Sequence, residues 1–82
     1  MLARALNQNQ YLILKYVATN RYKSITEVLS SISEREEIAL STLKTNSRVL
    51  RGLELIEFGE AATITDFGSQ VLAVLRDGDG HG

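Results

Sequence analysis

Two short β-type runs, "LIEF" at Leu55–Phe58 and "AATIT" at Ala61–Thr65, flank Gly59-Glu60 in a chain otherwise patterned for helix. Apolar runs of this length around a Gly-X pair predict a hairpin with a tight turn. A lone two-stranded hairpin is at best marginally stable in water, so it must pack against helices. The chain has 82 residues, enough for one domain with a small core. At that size an interface partner would add needed stability.

No proline occurs, so the helix ends are read from caps and glycines. The first helix is expected in "NQYLILKYVATN", with Asn9 as N-cap and Asn20 as a left-handed stop. Three sets repeat at helical spacing: Tyr11, Leu14 and Ala18; Ile13 and Val17; Leu12 and Tyr16. A helix apolar around so much of its circumference is buried on more than one side. "MLARAL" ahead of it extends the helix or packs separately. Ser24 with Glu27 forms a capping-box pattern that opens the second helix, with Ile25, Val28, Leu29 and Ile32 facing inward. Ser33 and Glu36 repeat the pattern, and either a new helical turn begins there or the second helix runs on. The last helix opens at Thr65 or Asp66 and carries Phe67, Val71, Val74 and Leu75 on one face, broadened by Leu72. Residues 1–76 are expected to form the domain and "DGDGHG", 77–82, a disordered tail.

The third helix, expected to begin near Ser41, has the sharpest pattern. At about 100° per residue, Ala39, Leu43, Asn46, Leu50 and Leu53 gather on one side. Lys44, Arg48 and Arg51 follow at i, i+4 and i+7, a stripe about 60° wide on the opposite side, bordered by Ser41, Thr45 and Gly52. Asn46 is expected as a partly buried amide bonded to nearby backbone, with a base contact at a groove edge as the alternative. Tyr11, Tyr16 and Tyr22 are expected in the core and its rim rather than as stacking platforms.

Charge is divided along the chain. Residues 1–53 hold eight Lys/Arg against four acids, a balance of +4; residues 54–82 hold one Arg against six acids, −5. Such a split points to a polyanionic partner for one face. Cysteine is absent, which excludes disulfides, thiol catalysis and cysteine-based zinc sites. The single histidine, His81, lies in the tail, and no metal role is assigned to it. No nucleophile with a paired base, no carboxylate pair on an identifiable site and no phosphate-cradling glycine loop is present. The chain therefore reads as a non-enzyme with no cofactor and no evident small-molecule substrate. The apolar runs "YLIL" and "VLAVL" are too short to span a bilayer, and the expected location is cytoplasmic.

Helix, helix, helix, hairpin, helix is the order of a winged helix-turn-helix: mainly α with a small β-hairpin, α-α-α-β-β-α. "IALSTLKTNSRVLRGLELIE" resembles the recognition helix and first wing strand of small archaeal-type winged-helix transcription regulators of the MarR/ArsR-like kind. Ser41-Thr42 match a hydroxyl pair, Leu50 and Leu53 the paired leucines, and Leu55-Ile56 the strand start. "ITDFGSQVL" resembles the Leu-Thr-x-x-Gly opening of the helix after the wing. "NQNQYLILKYVATNRYKSITEVL" is similar to the first two helices. The likeness covers about residues 7–76. Two positions depart from it: Glu54 stands where the family usually has glycine, and Glu60 occupies the wing tip in place of a basic residue. The segment between the second and third helices also reads a few residues longer than the tightest helix-turn-helix.

The resemblance implies sequence-specific binding of double-stranded DNA by a transcription regulator, with a recognition helix at about 41–53 in the major groove. Ser41 and Thr42 would meet phosphate at the helix N-terminus. Lys44, Thr45 and Arg48 would face base edges, and Arg51, Arg21 and Lys23 the backbone. The apolar surplus on the first and last helices implies a homodimer, which would present two recognition helices to a two-fold operator. The competing reading is a winged helix used for protein–protein contact within a transcription or replication assembly, which the acidic wing favours.

Overall fold

The computed structural model describes the backbone of residues 6–81 and the side chains of residues 6–76. Four helices and one hairpin follow in the order α1 (Gln8–Thr19), α2 (Ile25–Glu36), α3 (Leu40–Gly52), β1 (Ile56–Phe58), β2 (Ala62–Ile64) and α4 (Asp66–His81). This is the winged-helix order. α4 continues to His81, past the end expected at Arg76; the side chains of the glycine-rich tail, like residues 1–5 of "MLARAL", lie outside the described residues. No helix among the described residues is long and apolar enough to cross a membrane.

Ile13, Leu14 and Val17 of α1 form the centre of the core, with Val28, Leu29 and Ile32 of α2, Leu43 and Leu50 of α3, and Val71, Leu72 and Leu75 of α4. Leu55, Ile56 and Ala62 close it from the hairpin. Leu12, Tyr16 and Ala18 pack half-buried against this cluster, so α1 is covered on several sides, as its pattern predicts.

The N-cap of α1 is Asn7, two residues before the expected Asn9. Asn7 and Gln10 form a reciprocal capping box, with Gln10 N–H donating to Asn7 Oδ1 at 2.8 Å and Asn7 N–H to Gln10 Oε1 at 3.2 Å. Asn20 does cap the C-terminus, but at φ −123° rather than in the left-handed region. Its side-chain amide reaches the Tyr16 carbonyl at 2.8 Å, which satisfies a terminal acceptor without a positive φ. The Ser24–Glu27 capping box forms as read. The Ser24 backbone amide, and then its hydroxyl, hold the Glu27 carboxyl below its ordinary range.

α2 runs on through the second Ser-x-x-Glu pattern, because Ser33 Oγ donates instead to the Ile38 carbonyl at 2.7 Å, across the next turn. Only Glu37–Ala39 then separate α2 from α3, a shorter link than expected. Glu37 makes the turn at φ 54°.

The hairpin pairs Ile56 with Ile64, Glu57 with Thr63 and Phe58 with Ala62. Its loop is therefore Gly59–Ala61, three residues rather than the Gly59-Glu60 pair. Ile56 and Ala62 point inward while Glu57 and Thr63 face solvent, the period of two that a half-buried strand requires. Ala62 N–H donates to the Lys23 carbonyl at 2.9 Å, tying the hairpin to the α1–α2 turn.

Glu54, where the resembled family has glycine, adopts φ 62°. A side chain in this region crowds the following carbonyl. Replacing it with glycine removes that penalty, against the larger conformational entropy glycine loses on folding. Glu54→Gly is expected to stabilise the fold by about 0.5–1 kcal/mol, measured as a raised urea midpoint with unchanged slope.

Candidate nucleic-acid interface

α3 is amphipathic. Leu43, Ser47 and Leu50 are buried, whereas Ser41, Thr42, Lys44, Thr45, Arg48, Val49, Arg51 and Gly52 are exposed. The helix thus rests on α1 and α2 by one side and shows its basic stripe on the other. The side chains of Lys44 and Arg48 have no bonded partner among the described residues. Thr45 Oγ1 donates to the Ser41 carbonyl at 3.1 Å. The N-cap, Ala39, offers no side-chain acceptor, so the amides of the first turn are left uncapped by any side chain.

Arg51 differs from its neighbours. Its guanidinium lies over the Phe58 ring of β1, 4.9 Å from the centroid. Arg21 and Lys23 are exposed in the α1–α2 turn, and the Lys23 carbonyl bonds to the hairpin as above. An open hollow of about 200 Å³ between α2, α3 and β1 is lined by Ile25, Leu40, Lys44, Arg48 and Phe58, among others. The N-terminal turn of α2 therefore flanks the basic side of α3.

Several positions expected to face inward face solvent instead. Leu53 is 47% exposed, and Ala39 is exposed as well. Leu53 lies just past the last helical residue, so the wheel no longer governs where it points. Ser47 is buried in its stead, its hydroxyl satisfied by the Lys44 carbonyl at 2.8 Å. Phe67 and Val74 face solvent at 47% and 55% exposure. Tyr22, expected at the core or rim, is 94% exposed between the two basic residues of its turn.

Asn46 is half-buried and its amide does bond to backbone, through Nδ2 to the Thr42 carbonyl at 2.9 Å. Its Oδ1 also accepts from Gln10 Nε2 at 3.0 Å and Asn7 Nδ2 at 3.1 Å. The cap of α1 is thereby pinned to the middle of α3, a link that sequence reading missed. Removing the acceptor leaves the buried Gln10 amide without its partner, which costs about 1–3 kcal/mol. Asn46→Leu is expected to lose that much in urea unfolding. Asn46→Asp keeps the acceptor and loses less.

No protein-family model matches the chain, and no curated protein gives a significant match.

Proposed function

We propose that the protein is a transcription regulator that binds double-stranded DNA sequence-specifically, laying α3 in the major groove. The observation that carries this reading is the outward face of α3, where Ser41, Lys44, Thr45, Arg48 and Arg51 stand exposed on a helix whose other side is buried. A helix held this way can enter a groove as a rigid body. Lys44, Thr45 and Arg48 meet base edges, with Arg48 suited to guanine O6 and N7. Ser41, Thr42 and the uncapped first-turn amides meet phosphate. Arg51 takes a backbone phosphate, and Arg21 and Lys23 reach the flanking strand. The hairpin carries Glu57 and Glu60 and no Lys or Arg, so it stays out of the anionic minor groove.

The active species is a homodimer. Phe67 and Val74 leave an apolar strip on α4, and the first and last helices supply the contact. Two copies then offer their α3 helices to a two-fold operator.

The test is a backbone NMR titration with mixed-sequence duplex at about 50 mM salt, where phosphate contacts are strong. Shifts centred on residues 41–51 are expected. Unmoved amides across that helix would overturn the DNA reading and leave protein–protein contact as the function, the reading that the acidic wing favours.

A further inference from the structure

We propose that the wing contributes to DNA binding without touching DNA: Phe58 is a positioning residue that holds Arg51 for one backbone phosphate. The inference rests on the DNA reading above and adds a role for the hairpin, which its charge would otherwise exclude.

Arg51 is exposed near the C-terminal end of α3, three residues beyond Arg48. A free arginine there would have to give up most of its rotamer freedom on meeting a phosphate. The Phe58 ring, 4.9 Å from the guanidinium, already restricts it. A guanidinium carries five N–H donors around its edge, and those directed away from the ring stay free. Those edge donors remain available for a two-bonded contact to phosphate oxygens.

The plate itself is fixed. Phe58 is half-buried, pairs with Ala62 across the hairpin, and packs against the core cluster. Ala62 in turn donates to the Lys23 carbonyl. The ring is therefore anchored through the sheet to the same α1–α2 turn that carries Arg21 and Lys23. Glu57, Gly59 and Thr63 share the hollow beside Arg51 and Phe58. The acidic Glu57 there keeps the hairpin edge itself unattractive to phosphate while Arg51 projects from α3.

Two measurements decide the proposal. The first needs no DNA. In the free protein the Arg51 side-chain protons should show an upfield ring-current shift that disappears in Phe58→Leu and persists in Phe58→Tyr. The second is duplex affinity as a function of salt. Phe58→Leu should weaken binding about 3- to 5-fold, the size of an exposed cation–π contact, with little change in the log–log salt slope. Arg51→Ala should flatten that slope by about 0.9, one phosphate. Adding Phe58→Leu to Arg51→Ala should cost nothing more, and Phe58→Tyr should bind as the unaltered protein does. Thermal melts of each variant separate loss of fold from loss of positioning.

Absence of the ring-current shift would overturn the positioning role. So would Phe58→Leu binding at full strength while Arg51→Ala binds weakly, or equal losses from Phe58→Leu with and without Arg51. Failure of the unaltered protein to bind any duplex, with the ring-current shift present, would instead overturn the DNA reading on which the phosphate assignment depends.

Discussion

Lys44→Glu/Arg48→Glu is expected to weaken duplex binding by about 100-fold, while the fold stays intact. Both side chains are exposed and neither has a bonded partner to lose among the described residues. Surface substitutions of this kind change stability by only about 0.5 kcal/mol. Their effect on a polyanion is large, because each reversal removes an attraction and adds a repulsion near phosphate. With roughly four to six phosphate contacts, the unaltered protein should show a log–log salt slope of roughly −4 to −5. The double variant should lose about two units of that slope if its cations lie on the backbone. If they lie on base edges, it should instead lose discrimination between duplex sequences. Fluorescence anisotropy across about 50–200 mM salt reads both. Unchanged affinity in the double variant would sink the recognition-helix assignment.

Gly68→Ala is expected to destabilise the domain by about 3 kcal/mol or more, the upper range for forcing added volume into a packed site. A β-carbon at Gly68 would overlap the Leu55 carbonyl oxygen and lie 2.8 Å from Ile64 Cγ1. The obstructing oxygen cannot withdraw. Thr65 N–H donates to the same Leu55 carbonyl at 3.0 Å, and Thr65 Oγ1 donates to the Glu54 carbonyl beside it at 2.6 Å. Gly68 N–H returns to Thr65 Oγ1 at 2.9 Å, completing the cap of α4. For a domain of this size the loss corresponds to roughly 12–24 °C in the thermal midpoint. A midpoint within a few degrees of the unaltered protein would show that α4 can shift away from Leu55.

The same contact explains where sequence reading of α4 went astray. Apolar periodicity gives glycine no weight, so it grouped Phe67 with Val71, Val74 and Leu75. In the fold, Gly68 is the buried residue that lets the start of α4 meet the segment before the wing. This sets the rotation of the helix. Val71, Leu72 and Leu75 turn inward, and Phe67 and Val74 turn out. The Thr-x-x-Gly pattern was visible in the sequence; its consequence for the neighbouring residues was not.

Features governed by a few adjacent residues were legible beforehand. The Ser24–Glu27 capping box, the three-helix order, the hairpin between residues 55 and 65 and the basic stripe at 44, 48 and 51 depend on spacings of three, four or two, which the chain states directly. The core of α1 and α2 follows from the same periodicities. Other features join residues far apart in the chain. Asn46 meets Gln10 and Asn7 across 36 and 39 positions, and the Arg51 guanidinium lies over a ring from another element. Such pairs, the Arg51 guanidinium over the Phe58 ring among them, carry no local period, because amide, guanidinium and phenyl groups satisfy many partners equally well. By itself the sequence determined which segments become helix or strand and which side of α3 is cationic. Tertiary packing alone decided that Ser47 rather than Leu53 is covered, that Tyr22 stands free, and which distant side chains hold α3 in place, since these depend on how rigid elements meet.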